Sequence, residues 1–206
     1  MKTKKILTVL AALATLAMSA CTSDEPAAKP QPQPAEIITG RSVFQKVFIS
    51  ARGWQADVQP FRLVSQPTSD ANGHDGVADV WLGSFASPAT ALIKTFAWSG
   101  TNVSDAPSRG VTPGTQDGYS ASNSSTHIFN AGFLKTDSDQ AFQVAQKHGG
   151  EKVLTEDPKI PVFYALDWSA STNKLIWHVV YGADRGTAKL AVSVDATTGD
   201  FIRVEK

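Results

Sequence analysis

The apolar and aromatic residues of this chain recur twice in the same order, and that echo constrains the fold more than any single motif. Val80, Trp81 and Phe85 stand 96 residues before Ile176, Trp177 and Tyr181, and the same offset carries Phe96 and Trp98 onto Val192 and Val194. The triplet Val43-Phe44-Gln45 falls on Ala141-Phe142-Gln143 at an offset of 98. In the first copy, Thr39 stands at the N-cap of a helix over 40–53, with Val43, Phe44, Val47, Phe48 and Ala51 on one face and Gly53 as its C-cap. Strand-like runs follow at 60–65, 77–85 and 92–98, broken by a polar loop at 68–76 and a Ser87-Pro88 turn. In the second copy, Asp137 or Ser138 caps a helix carrying Ala141, Phe142 and Ala145, ended by Gly149-Gly150. Strand composition returns at 162–168, 175–181, 189–194 and 201–204, with turn residues at 169–173, 182–186 and 197–200.

A helix followed by an antiparallel meander buries its apolar stripe on one sheet face. Leu190, Val192 and Val194 alternate with Lys189, Ala191 and Ser193 as such a half-buried strand requires. The expected fold class is α+β, as two tandem α-β-β-β(β) units, each an antiparallel meander with one helix packed on a face. The first unit spans 37–100 and the second 127–206, and the Ser/Gly/Thr/Asn-rich stretch 101–126 reads as a polar linker or functional loop.

Residues 1–20 carry a basic start (Lys2, Lys4, Lys5), an apolar run over 6–18 and the small pair Ser19-Ala20, the three parts of a secretory signal. The run is about 13 residues, short of the ~20 that a spanning helix needs. Ala17-Met18-Ser19-Ala20-Cys21 resembles the bacterial lipoprotein signal, in which cleavage exposes a cysteine for acylation. Cys21 is the sole cysteine, so it is modified, paired with another chain or free; acylation accounts for both its place and its solitude. The expectation is a lipid attachment at Cys21, with plain secretion and a retained anchor as the alternatives. Residues 21–36 follow as a proline-rich tether, too poor in apolar residues to order itself. Thr22 is not the aspartate that resembles an inner-membrane retention signal, so the expected location is the outer membrane, facing the periplasm.

Removing residues 1–20 leaves 16 basic and 19 acidic side chains, a net charge of −3, with no basic block. Nucleic acid therefore has no electrostatic footprint to bind.

The run Leu190-Ala-Val-Ser-Val-Asp195-Ala-Thr-Thr-Gly199-Asp-Phe-Ile202 resembles the closing hairpin of the PepSY family, and Asp137-Ser-Asp-Gln-Ala-Phe-Gln-Val-Ala145 is similar to that family's opening helix. The resemblance covers 137–206, about a third of the chain. It implies an inhibitory or regulatory contact with a peptidase and carries no catalytic residues. Its hairpin residues Asp195, Thr198 and Gly199 have a structural reading: Asp195 accepts from turn amides and Gly199 supplies a positive φ.

Other chemistry is thin. His74, His127, His148 and His178 show no metal-ligand spacing. His178 sits in a strand with Ile176 and Val180 and reads as a half-buried, satisfied histidine. The loop Asp70-Ala-Asn72-Gly-His74-Asp75-Gly76 departs from a calcium loop, because its glycine is one place late and His74 replaces an oxygen ligand. Ser171-Thr-Asn-Lys174 matches a serine-x-x-lysine pattern by chance, without partner motifs. Trp81 and Trp177 are expected in the core, whereas Trp54 and Trp168, near element ends, are candidate interface anchors. The chain is thus expected to be a non-enzymatic envelope lipoprotein with a PepSY-like module that binds an envelope protein or peptidase and needs no cofactor. The alternatives are a structural or assembly lipoprotein and a hydrolase whose pocket gathers His178 and Asp167.

Overall fold

The computed structural model describes residues 33–205. Cys21, the signal segment and the tether up to residue 32 lie outside the described residues. Among the described residues the architecture is α+β: three α-helices and one eight-stranded antiparallel sheet, with a separate two-stranded ribbon. The elements are β1 (Ile38–Thr39), α1 (Gly40–Trp54), β2 (Gln59–Gln66), β3 (Val77–Ala78), β4 (Val80–Ser87), β5 (Leu92–Ser99), β6 (Gly110–Gly118), α2 (Ser138–Ala145), α3 (Glu151–Glu156), β7 (Val162–Ser169), β8 (Lys174–Tyr181), β9 (Leu190–Asp195) and β10 (Phe201–Val204). The sheet order is β10-β9-β8-β7-β2-β4-β5-β6, and β1 pairs with β3.

Each half forms its own meander, and the two meanders join edge to edge through β2 and β7, with Arg62 opposite Asp167, Leu63 opposite Leu166 and Val64 opposite Ala165. The halves therefore share one continuous sheet. One hydrophobic core unites them, drawing Val43, Phe44, Val47 and Ala51 from α1, Ala141, Phe142 and Ala145 from α2, and the alternate residues of the strands. Leu190, Val192 and Val194 enter that core, whereas Ala191 faces the other side with Phe163, Val180 and Ala188.

The matched tryptophans meet at the centre of the core. Trp81 and Trp177 are fully buried and pack edge to face at 6.4 Å, an arrangement worth about 0.5–1.5 kcal/mol beyond burial. A buried indole N–H needs an acceptor. Trp81 Nε1 donates to the Ile38 carbonyl, two residues before α1, and Trp177 Nε1 donates to the Thr136 carbonyl, two residues before α2. Gly40 must lack a side chain here, because a Cβ would lie 2.6 Å from the Trp177 ring and 3.1 Å from the Trp81 ring.

Four local expectations are corrected. Thr39 occupies the N-cap of α1, but its side chain makes no capping bond to an amide and pairs with Ser42 Oγ instead. The second half supplies the cap: Ser138 Oγ accepts from Gly40 N at 2.7 Å and Asp137 Oδ1 accepts from Arg41 N at 2.8 Å. α1 also runs past Gly53 to Trp54. In the second half, α2 stops at Ala145, a wide turn passes through Gly149 at φ 113°, and a further helix, α3, follows. The stretch 101–126, expected to be a polar linker or functional loop without strands, contains the edge strand β6, paired along β5. Its Pro113 and glycines lower strand propensity, but an edge position tolerates them while the partner strand supplies the pairing.

Candidate functional site: a charged cleft at the join of the two halves

The face of the sheet away from α1 and α2 carries charge at its centre. Arg62 on β2 and Asp167 on β7 are directly paired across the join. On β8, His178 stands opposite Ala165 of β7, diagonal to Asp167, and opposite Ser193 of β9. His178 is 6 % exposed. Its Nε2 lies 3.1 Å from Asp167 Oδ1 and its Nδ1 2.9 Å from Glu205 Oε1. Ionised carboxylates only accept hydrogen bonds, so both ring nitrogens must donate, and the ring is an imidazolium.

The titration directions agree with that assignment. Burial disfavours a charged His178, but the hydrogen bonds that its ring donates to Asp167 and Glu205 outweigh it and hold the ring above its usual value. Burial likewise opposes an ionised Asp167, yet the bond to His178, with the fields of His178, Arg185 and Arg62, lowers its carboxyl. Glu205, hydrogen-bonded by His178 and by Ser193 Oγ at 2.5 Å, is lowered to about 2. The ring has no free nitrogen to accept a proton from a nucleophile, so its geometry suits a charge bridge between β7 and the segment after β10 rather than a general base.

A cleft of ≈ 320 Å³ opens beside this bridge, lined by Arg62, Arg185, Asp167, Trp168 and His127, with Phe61, Ser124 and Ser125 completing its wall. Phe61 is the extra residue of a bulge in β2, where the pairing with β4 shifts between Pro60 and Arg62. Ser124 and Ser125 arrive on the segment leaving β6, which is tied to β2 by the Phe129 amide donating to the Pro60 carbonyl at 2.8 Å. Arg185 comes from the β8–β9 connection, where Asp184 accepts from the Thr187 amide and hydroxyl. It reaches Asp167 only at 3.8 Å. Arg62 forms no salt bridge with any described residue.

Trp168 anchors an aromatic wall: His127 stacks on it at 6.4 Å and Phe133, 43 % exposed, packs at 5.6 Å. The hairpin residues singled out from sequence brace this wall. Asp195 Oδ1 accepts from the Thr197 and Thr198 amides, its Oδ2 pairs with Lys174 at 2.8 Å, and Gly199 has φ 82°. Thr198 Oγ1 donates to Asp200. Beyond the turn, Thr197 Oγ1 donates to the Phe133 carbonyl, and the Ala196 carbonyl accepts from Lys135 and Thr136.

The remaining candidates scatter. Asp70 accepts from Thr101, and the His74 ring bonds the Ile160 carbonyl, so the 68–76 loop does not converge on one point. Among the described residues no group of three or more metal-binding side chains comes together. Lys174 of the serine-x-x-lysine pattern is engaged by Asp195, and Ser171 by Ser169. Trp54 packs on Phe96 under Lys94, away from the cleft lining. Sequence reasoning missed Arg62, Arg185 and Glu205; the available signal was a charge of each sign, Arg62 and Asp167, within otherwise apolar strands. No protein-family model, curated protein or solved structure matches this chain.

Proposed function

We propose that this chain is a non-enzymatic envelope lipoprotein, acylated at Cys21, whose folded body is a PepSY-like binding module for another envelope protein, with a peptidase the partner class that the family resemblance suggests. The observation carrying the binding reading is the cleft itself, where Trp168, backed by His127 and Phe133, stands beside Arg62 and Arg185 on a rigid sheet. Tryptophan and arginine are the side chains most often found at the energetic centres of protein interfaces. A hydrolase built on His178 and Asp167 is disfavoured, because both ring nitrogens are held by carboxylates.

We also read the chain as an internal duplication fused into one sheet. Its support is the parallel use of two tryptophans, each donating to the carbonyl two residues before its half's helix. The tether would end at the body, where the Arg109 guanidinium donates to the Pro34 and Gly100 carbonyls and Glu36 N donates to Gly100 O.

The test is capture of partners from solubilised envelopes with the wild-type chain and with Trp168→Ala, followed by identification and a peptidase assay on the captured material. The proposal expects an identified envelope protein whose capture is lost with Trp168→Ala. Capture that is equal for both proteins, or no capture at all, would sink it.

A further inference from the structure

We infer that the cleft receives an acidic side chain of a partner protein, its carboxylate held between Arg62 and Arg185 and its apolar or aromatic neighbour laid on Trp168. This rests on the binding reading above and names the chemistry of the partner. The charge balance points this way. Two guanidinium groups line the cleft against one carboxylate, Asp167, which is already engaged by His178 at 3.1 Å. Arg185 stands 3.8 Å from Asp167 Oδ2, too long for a hydrogen bond, and Arg62 has no salt-bridge partner among the described residues. Neighbouring Asp184 directs its carboxylate to Thr187. Both arginines thus keep donors for an incoming anion, and planar guanidinium groups match a carboxylate's two oxygens.

Asp167 also sets the charge of that anion. A phosphate carries nearly two negative charges at neutral pH and would face the Asp167 carboxylate in the same cleft; a carboxylate carries one. The aromatic wall then favours a protein segment over a free organic acid. Trp168, His127 and exposed Phe133 form a contiguous apolar surface next to the arginines, suited to a side chain adjoining the acidic one.

The experiment pans a displayed dodecapeptide library on the full chain held in detergent micelles. The best binders are resynthesised with a fluorescein label and titrated by anisotropy. Enriched peptides should carry Asp or Glu next to an aromatic or aliphatic residue. Replacing that acid by its amide, or making Arg62→Gln with Arg185→Gln in the protein, should weaken binding at least about tenfold, as expected for a charge-assisted pair. Affinity should also fall with added salt. Thermal melting of the double variant checks that it is folded; if it is not, each single variant should show a smaller loss. Neutral or basic consensus peptides, undiminished binding to the folded variant, tighter binding of a phosphoserine version, or no enrichment would each overturn the inference. Trp168-dependent capture of an envelope protein that is indifferent to both arginines would leave the binding reading standing while removing this one.

Discussion

The bridge through His178 makes a quantitative claim about stability that Glu205→Gln tests. The substitution keeps the size of the side chain and an acceptor oxygen for Nδ1 but removes the charge. A carboxyl lowered from 4.5 to about 2 corresponds, at face value, to about 3 kcal/mol of preference for the charged form. Part of the Glu205 side chain still meets solvent, and its partners are shared, so screening reduces the expected loss at pH 6 to about 1–2 kcal/mol.

The sign follows from each group. The folded-state values of Glu205 and Asp167 are lowered, so their contributions are complete above their ordinary values of 4.5 and 3.8 and disappear as pH falls through the lower folded values. That of His178 is raised, so its contribution is complete below 6.5 and disappears as pH rises through the higher folded value. For this cluster, wild-type stability should therefore plateau between 4.5 and 6.5. Glu205→Gln should lower the plateau, flatten the acid limb and make the alkaline decline smaller and complete at a lower pH, because His178 keeps only Asp167.

The assay is urea unfolding followed by tryptophan fluorescence at stepped pH. With a slope of about 2 kcal/mol/M, the midpoint should fall by roughly 0.5–1 M at pH 6. A variant curve superimposable on the wild type from pH 4 to 8 would refute the bridge. So would nitrogen chemical shifts showing a neutral His178 ring at pH 6.

Ser138 is fully buried, accepting from Gly40 N and donating to Gly76 O; Ser138→Ala leaves both groups unpartnered and should cost about 2–4 kcal/mol in chemical unfolding. Asp195→Ala removes the acceptor for two turn amides and the partner of Lys174, and should raise amide exchange at 196–204 and at the braced Phe133 segment before any global loss. A variant with unchanged exchange there would contradict the bracing role. Cys21→Ser should move the chain from the membrane fraction to the soluble fraction of fractionated cells, and persistence in the membrane would remove the acyl anchor from the proposal.

What could be read from sequence is what local spacing encodes. Val43, Phe44, Val47 and Ala51 follow a helical stripe, and Leu190, Val192 and Val194 a strand alternation, and both sets reached the core. β6 was hidden because an edge strand gets its order from β5 rather than from its own Gly-Val-Thr-Pro-Gly composition. α3 was hidden because Gly149-Gly150 reads as a stop, whereas the chain turns there and resumes helix with Val153 and Leu154 on the core. The cap on α1 and the cleft escaped for the same reason: Asp137 meets Arg41, and Asp167 meets Arg62, only after two distant strands have joined.

The two sheet faces differ in how far they follow the echo, and the difference bears on stoichiometry. On the helix side, the offset that pairs Trp81 with Trp177 pairs side chains of one kind and one job. On the other side, the same offset sets Leu82 against His178 and Ala97 against Ser193, and the pairing that sets Asp167 opposite Ile176 sets Gln66 opposite Val80. The first half thus lacks the histidine and the serine at the centre of the charge bridge and has an uncharged amide where Asp167 stands, and Arg62 meets its opposite only across the β2–β7 pair. If the halves arose by duplication, they kept their common core and diverged on the face that carries the cleft. A repeated fold would then present one site, not two, and isothermal titration with a peptide from the panned library should saturate at one per chain. Two equivalent sites would place the binding chemistry on the repeated elements and away from the join.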